Sequence, residues 1–296
     1  MTAGVYRGFD KEQLDVQYSP SSMVADLRPF LDDYALRSRQ ARAELAGLLQ
    51  RDLPYGPGPD ERLDVYGPPA TDAGSAGSPA LFFVHGGYWQ ALSKEESAFA
   101  APAFVGAGAA YVTPDHTLAP HARLAAIVDQ VRGAFAWLWR NAAEHGIDPG
   151  RIVVSGSSAG AHLAAMLLAT PWRRWGLPAA PIAGAVLLGG IYDLAPVRLT
   201  YVNEVAGIDA GEVRDCSPMF LPGLRCPVVV AWGERETGEF KRQSSAFAAC
   251  LRARGCRVTA FEQPGRNHFD SPMELGVRSA RVHAETRRLL GLPARG

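Results

Sequence analysis

The sequence G-S-S-A-G at residues 156–160 constrains the fold of this chain more than any other feature. A β-branched run, Arg151 to Ser155, precedes it, and a helix-prone run, Ala161 to Leu168, follows it. A strand, a G-x-S-x-G motif and a helix in that order predict a sharp turn whose serine is exposed above a sheet. Glycine fits two residues before and two residues after that serine, because a Cβ atom would clash in so tight a turn. In this segment only Ser158 has glycine at both positions, so we predict that Ser158 is a nucleophile.

The composition is that of an ordinary globular chain. Of the 296 residues, 47% are hydrophobic, and 30 basic residues balance 30 acidic ones. Since no broad basic field is available for nucleic acid or an anionic membrane, we expect a small-molecule substrate and neither of those partners. The N-terminus lacks the apolar core of a signal peptide, and no apolar run approaches the about 20 residues of a membrane span, so we expect a cytoplasmic protein. A homodimer is compatible with the sequence, which contains nothing that demonstrates it.

Cysteine usage favours neither a disulfide framework nor a metal centre. The four cysteines lie in the last third of the chain and form no C-x-x-C pair: Cys216, Cys226, Cys250 and Cys256. In a reducing cytosol we expect them to behave as small apolar residues. Zinc-ligand spacing is absent as well, so we predict no metal and no cofactor.

Apolar runs alternate with helix-prone runs from residue 80 onward. Strands are expected at Ala80–His85, Ala109–Pro114, Ile152–Ser155, Ile182–Leu188, Pro227–Trp232 and Arg257–Phe261. Helices are expected at Glu95–Val105, Ala122–Glu144, Ala159–Ala169, Phe240–Arg254 and Met273–Leu290. Strands that are apolar on both faces are typical of a parallel sheet covered by helices, and the alternation indicates an α/β fold with right-handed crossovers. We predict a single domain over residues 1–296.

Residues 1–60 differ from the rest of the chain and form an N-terminal extension. Helical spacing of apolar residues runs from Ser22 to Gln50, and the proline-rich segment 54–59 ends it. Leu63 to Tyr66 then alternates like a strand, and Thr71 to Pro79 is typical of an exposed turn. We expect the extension to pack over the functional site as part of a lid.

A serine nucleophile needs groups that bind the oxyanion formed on attack. The sequence H-G-G-Y-W at 85–89 directly follows a predicted strand, where successive glycines let backbone N–H groups point into a site. We predict that the N–H groups of Gly87 and Tyr88 form one side of an oxyanion hole. The Ala159 N–H, at the start of the helix after Ser158, would form the other side, where the helix dipole favours negative charge. His85 is expected to brace this loop through a backbone hydrogen bond.

The general base is expected to be a histidine late in the chain. His268 lies on a loop between the predicted last strand and last helix, which is the position that this chemistry requires. His283 lies within a charged helix and is expected to be solvated, and His162 is expected to pack or hydrogen-bond locally.

The acid that orients the base is expected between Ser158 and His268, after a strand end. The strand at 227–232 is followed by G-E-R-E-T-G-E, so three glutamates compete. Glu236 has the best offset and Glu234 is the second candidate. The order Ser158, Glu236, His268 is the order found in one large class of serine hydrolases.

Several further motifs occur together with these residues. They are Y-D-L at 192–194, S-P at 217–218, E-F at 239–240 with Q-S at 243–244, and N-H-F-D at 267–270, with L-D at 14–15, Q-Y at 17–18, Ser38, A-R at 41–42 and Y-G at 55–56 in the extension. With H-G-G-Y-W and the serine motif, this set resembles the α/β-hydrolase form of kynurenine formamidase, or arylformamidase. The resemblance covers nearly the full chain, and the combination is specific although each piece alone is not.

The resemblance implies an α/β-hydrolase fold and the hydrolysis of N-formylkynurenine to kynurenine and formate by a Ser-Asp-His triad without a metal. Carried over by position, the nucleophile is Ser158, the base is His268 and the acid is Glu236, where the family usually has aspartate. The family often has histidine where Ser157 stands, and a tyrosine where His116 stands. These departures bear on the substrate more than on the chemistry.

Aromatic residues near these motifs are candidates for the substrate pocket. Tyr88, Trp89 and Tyr192 could stack on an aromatic amine, and packing in the core is the alternative role for each. Three alternative functions remain at this point: a carboxylesterase for small acyl or aryl esters, an amidase or carbamate hydrolase of another catabolic route, and a binding module without catalysis.

Overall fold

One eight-stranded sheet organises the protein. The computed structural model describes residues 4–67, 77–223 and 225–293. The strands are β1 (Leu49–Pro54), β2 (Arg62–Tyr66), β3 (Ser78–Val84), β4 (Ala110–Pro114), β5 (Ile147–Ser157), β6 (Gly184–Leu188), β7 (Val228–Gly233) and β8 (Val258–Gln263). The α-helices are α1 (Lys11–Gln17), α2 (Arg28–Glu44), α3 (Ala101–Val105), α4 (Leu124–Asn141), α5 (Ala159–Leu168), α6 (Asn203–Ala206), α7 (Ala210–Asp215), α8 (Gly238–Ala253) and α9 (Arg281–Leu289).

The strand order is β1-β2-β4-β3-β5-β6-β7-β8. The six strands from β3 to β8 are parallel, and β2 pairs antiparallel with β1 and β4. Side chains on both faces are buried: Phe82 and Val154 pack on one face, and Leu81 and Val153 pack in a separate cluster on the other. The α/β-hydrolase fold predicted from the sequence is confirmed.

The carboxyl ends of the parallel strands meet at one edge of the sheet. Because ligands of such sheets bind beyond these ends, a functional site is expected in the loops after β3, β5, β7 and β8. These loops carry the H-G-G-Y-W sequence, Ser158, Glu236 and His268 in turn. Within the described residues, no helix has the length and apolar character to cross a membrane.

Local structure departs from the sequence-based expectations in four places. Residues 49 and 50, expected at the end of a helix, begin β1, an edge strand that pairs with β2. The helix expected at 95–105 is two short 3-10 turns followed by α3, and the one expected at 273–290 is a 3-10 turn followed by α9. Of the turn expected at 71–79, residues 71–76 lie outside the described residues, and Ser78 and Pro79 belong to β3.

Candidate active site

Ser158 lies at a strained turn between β5 and α5. Its backbone has φ 57° and ψ −121°, a conformation that non-glycine residues rarely adopt, and its N–H donates to the Leu188 carbonyl over 2.8 Å. A Cβ atom at Gly156 would lie 2.3 Å from the Gly160 oxygen, and one at Gly160 would lie 2.1 Å from the Val84 oxygen. Both glycines are therefore required by close backbone approach, as predicted from the sequence.

Glu236, in the loop after β7, forms a hydrogen bond with His268. Its Oε2 accepts a hydrogen bond from His268 Nδ1 over 2.8 Å, and its Oε1 accepts one from the Gly233 N–H over 2.7 Å. The carboxyl side chain is 1% exposed. Both oxygens are thus held by donors in a buried setting, where a charge-assisted hydrogen bond is strong.

The competing glutamates have other partners. Glu234 is exposed, and its Oε2 accepts from the Gly265 N–H over 2.6 Å. Glu239 is buried in an ion pair with Arg242 and accepts a hydrogen bond from the Tyr18 hydroxyl. Of the three, Glu236 is the one that lies against His268.

The loop that carries His268 is fixed by its own side chains. Asn267 Oδ1 accepts from the N–H groups of Phe269 and Asp270, and Asp270 Oδ1 accepts from the Asn267 N–H. This reciprocal arrangement is a short-range turn that Asn and Asp form readily. The imidazole lies edge-on between the rings of Phe240 and Phe269, with centroid distances of 4.6 and 5.4 Å. The ring is therefore restrained on two sides as well as at Nδ1.

The glycine loop after β3 has an unusual backbone. Gly87, Tyr88 and Trp89 have successive positive φ values of 98°, 52° and 62°. A Cβ atom at Gly86 would lie 3.3 Å from the Ser158 Cβ, so this loop packs directly against the serine. Across residues 4–67, 77–223 and 225–293, no carbonyl or side chain accepts a hydrogen bond from the Gly87 or Tyr88 N–H. Helix α5 begins at Ala159, directly after Ser158 in the chain.

Four other histidines have partners other than Ser158 and Glu236. His85 Nδ1 is 2.9 Å from the Gly86 oxygen, which confirms its predicted role as a brace, and its ring stacks on His116 at 4.4 Å. His162 is fully buried, and burial lowers its pKa to about 4. Its Nε2–H donates to the Cys216 carbonyl over 2.7 Å. His283, expected to be solvated, is instead 2% exposed because α9 turns it toward the Leu275 carbonyl.

Ser158 and His268 line the same cavity, which has a volume of about 290 Å³. The apolar residues around it come from the extension, the sheet and the loops: Pro20, Leu27, Leu31, Phe83, Ala91, Leu92, Phe99, Phe269 and Pro272. Gly87 and Tyr88 also line it. The cavity is therefore a mainly apolar pocket with a serine and a histidine in its wall, which is the usual form of a small-molecule site.

Trp89 and Tyr192 do not line this cavity, contrary to the sequence-based expectation. Trp89 is 1% exposed, and its indole N–H donates to His162 Nδ1 over 3.3 Å. Tyr192 is fully buried and stacks on Phe247 with a centroid distance of 4.1 Å. Both rings therefore have the alternative role, packing in the core. Trp89 packs against His162 of α5 and Tyr192 against Phe247 of α8.

Sequence comparison identifies relatives of this chain. Over 278 residues it is 34% identical to the kynurenine formamidase of Salmo salar, and the match covers 90% of this chain and 91% of that protein. The chain belongs to the kynurenine formamidase family. A family profile described as BD-FAE matches residues 63–172.

Other members of the superfamily are also similar to this formamidase-family chain. Esterase LipQ of Mycobacterium tuberculosis is 30% identical over 260 residues, which cover 81% of this chain and 62% of that protein. A crystal structure of a candidate thioesterase from Silicibacter sp. TM1040 has a TM-score of 0.79 and 26% identity, with 92% of this chain and 98% of that chain covered. The fold is thus shared with proteins that are named as thioesterase or esterase.

Three contacts of this family member's site could not be read from its sequence. The N-terminal extension contacts the loop of Glu236, where Thr237 Oγ1 donates to the Gln17 carbonyl over 2.6 Å. The Tyr34 hydroxyl donates to the Phe269 carbonyl, next to His268. Glu96 reaches the cavity from a 3-10 turn. The two hydrogen-bonded pairs are far apart in sequence, and no local pattern predicts them or the position of Glu96.

Proposed function

We propose that this protein is a serine hydrolase that cleaves an aryl formamide, and that it converts N-formylkynurenine to kynurenine and formate. Ser158 is the nucleophile, His268 the general base and Glu236 the acid that orients it. The observation that carries the proposal is the Glu236–His268 hydrogen bond at the wall of a cavity that Ser158 also lines. Membership of the kynurenine formamidase family supports the choice of substrate.

Attack begins with transfer of the Ser158 hydroxyl proton to His268 Nε2 as Oγ bonds to the formyl carbon. The Nδ1–H···Oε2 bond to Glu236 leaves Nε2 as the accepting nitrogen and stabilises the imidazolium that forms. The formyl oxygen becomes an oxyanion, and we assign its binding to the N–H groups of Gly87, Tyr88 and Ala159. The Gly87 and Tyr88 N–H groups, which have no acceptor among the described residues, support this assignment, since preorganised donors stabilise such charge without reorganising.

Collapse of the tetrahedral intermediate breaks the C–N bond. His268 gives its proton to the departing arylamine nitrogen, and the formyl group remains as an ester on Ser158. A water molecule then attacks the carbon of this ester while His268 takes one of its protons. His268 passes that proton to the Ser158 oxygen as the C–O bond to Ser158 breaks, and the formic acid released loses its remaining proton to solvent to give formate. The apolar cavity wall, with Phe99 and Phe269, suits the aromatic ring of the amine.

A carboxylesterase is the second candidate function. The similarity to esterase LipQ favours it, and the same triad would act on an ester. An amidase or carbamate hydrolase of another route would use the same groups. We also propose that the enzyme works as one domain in the cytoplasm and without a cofactor, because Ser158, His268 and Glu236 together supply the nucleophile, the base and the acid of the reaction.

The test is hydrolysis of N-formylkynurenine by the purified protein beside a short-chain p-nitrophenyl ester. A higher kcat/KM for the formamide, lost in Ser158→Ala and His268→Ala, is the expected result. Ester turnover with little formamide cleavage would show that the carboxylesterase alternative is correct. Formamide cleavage that survives in Ser158→Ala would disprove the mechanism itself.

A further inference from the structure

Glu96 is the acidic residue in the cavity wall. It lies in a 3-10 turn (residues 94–96) and lines the same cavity as Ser158 and His268. Nothing in the proposed cleavage of the formamide uses this carboxylate. Glu96 is half-buried, so a carboxylate oxygen that no structural partner occupies is available to a ligand in this mainly apolar wall.

The structural partners of Glu96 leave half of its carboxylate unused. Oε2 accepts a hydrogen bond from Ser93 Oγ over 2.8 Å. In the described part of the chain, Oε1 accepts no hydrogen bond and no lysine or arginine pairs with Glu96. Its neighbour Glu95 differs, because it forms ion pairs with Arg42 and Arg51 at 3.1 and 2.7 Å.

The charge of the cavity is therefore negative at this position. None of the described residues that line the cavity is lysine or arginine. His85 supplies no balancing charge, because burial lowers its pKa against weaker opposing effects of the Gly86 carbonyl and of Glu96 itself. Two polar side chains of the wall already have partners: the Gln90 amide donates to the Val202 carbonyl over 2.9 Å, and the Ser97 hydroxyl donates to the Ser93 carbonyl over 2.8 Å. A carboxylate among apolar side chains attracts cations strongly and repels anions.

We propose that Glu96 is a specificity-determining residue that binds an ammonium group of the substrate. This inference rests on the proposed formamidase function and refines its substrate class to aryl formamides that carry a primary amine beyond the ring. N-formylkynurenine carries such an ammonium and also a carboxylate. Its carboxylate has no cationic partner among the described residues of the cavity wall and stays in solvent. An analogue of N-formylkynurenine that keeps the amine and lacks the carboxylate should therefore be at least as good a substrate as N-formylkynurenine.

The experiment uses three formamides that share the aryl ketone. One is the amine that lacks the carboxylate, one is the acid that lacks the amine, and one is the ketone that lacks both. Their kcat/KM values are measured for the unaltered protein, Glu96→Gln and the control Glu95→Gln. Glutamine keeps an oxygen that can accept from Ser93, and Glu95→Gln removes the same charge one residue away, outside the cavity wall.

We expect the unaltered protein to prefer the amine over the ketone and the ketone over the acid. Glu96→Gln should lower the amine-to-ketone ratio of kcat/KM about tenfold, because the loss of a hydrogen bond between charged groups weakens binding by about this factor. The change should appear in KM, because the contact is remote from the reacting carbonyl. Glu95→Gln should keep the ratio within about twofold.

Equal ratios in Glu96→Gln and the unaltered protein would overturn the inference and leave the formamidase function intact. An equal fall of the amine-to-ketone ratio in Glu95→Gln would also overturn it. The preference would then come from the overall negative charge of this turn and not from a contact with Glu96. If Glu96→Gln does not fold, as judged by its thermal midpoint, Glu96→Asp is compared instead and should retain part of the preference.

Failure of the formamidase function itself would appear as no cleavage of any formamide. Calorimetric binding of the same amine and ketone to Ser158→Ala, with and without Glu96→Gln, then decides the inference. Tighter binding of the amine that disappears with Glu96→Gln supports it, and equal binding of amine and ketone overturns it.

Discussion

The hydrogen bond between Glu236 and His268 allows a quantitative prediction for Glu236→Gln. Oε1 of Glu236 accepts from the Gly233 N–H and Oε2 accepts from His268 Nδ1. A glutamine must keep its oxygen toward the Gly233 N–H, so its NH₂ group faces Nδ1. The imidazole then carries its proton on Nε2, where it can no longer accept the proton of Ser158. In a comparable triad this change of tautomer lowers kcat about 10⁴-fold, or ~5.5 kcal/mol in activation free energy.

The assay is kcat on N-formylkynurenine and on a p-nitrophenyl ester, since both reactions use the same base. Glu234→Gln is the matched control, because that exposed carboxylate accepts only from the Gly265 N–H in the described part of the chain and should change kcat by less than about twofold. The thermal midpoint of each variant shows whether the fold is intact. A Glu236→Gln enzyme within tenfold of the unaltered kcat, or an equal loss in Glu234→Gln, would refute the assignment of the acid.

Three further perturbations test the packing around the site. Gly160→Ala would place a Cβ atom 2.1 Å from a backbone oxygen, so the free energy of unfolding in urea should fall by about 1–3 kcal/mol, whereas Gly47→Ala, with no atom within 4 Å, should change it little. Tyr34→Phe removes the hydroxyl that donates to the Phe269 carbonyl, and should lower the unfolding free energy by about 1 kcal/mol; an unchanged thermal midpoint would contradict this. The unfolding free energy should decrease as the pH falls from 6.5 to about 4, because an unfolded histidine binds a proton in this range and buried His162 does not. His162→Gln should flatten that dependence, and equal slopes would argue against it.

The residues proposed as catalytic could be singled out in the sequence because each depends on a local pattern. The turn at Ser158 needs glycine at fixed offsets, and the sequence displays both. The loop of His268 is built by Asn267 and Asp270 within four residues. Strand and helix alternation was enough for the fold class, and the choice of Glu236 over Glu234 followed from its distance to the end of β7.

The remaining features depend on contacts between distant segments. Trp89 and Tyr192 were expected in the pocket because they flank catalytic motifs, yet their neighbours His162 and Phe247 lie far away in sequence. The edge strand β1 resembled a helix end, since exposed edge strands have little apolar alternation. The position of Glu96 in the cavity wall could not be predicted either, because an acidic pair in a polar segment is typical of a solvated turn.

The contacts of the N-terminal extension limit how it can act as a lid. It is tied to the acid loop through Gln17 and Thr237, and to the base loop through Tyr34. The Tyr88 hydroxyl, from the glycine loop, donates to the carbonyl of Tyr18. Lifting the extension as one body would break all of these hydrogen bonds, each with a net worth of about 1 kcal/mol, and would release the catalytic loops at the same time. The cavity-lining residues that precede α2, from Pro20 to Leu27, form none of these hydrogen bonds, so an opening that keeps all of them intact has to be confined to this segment.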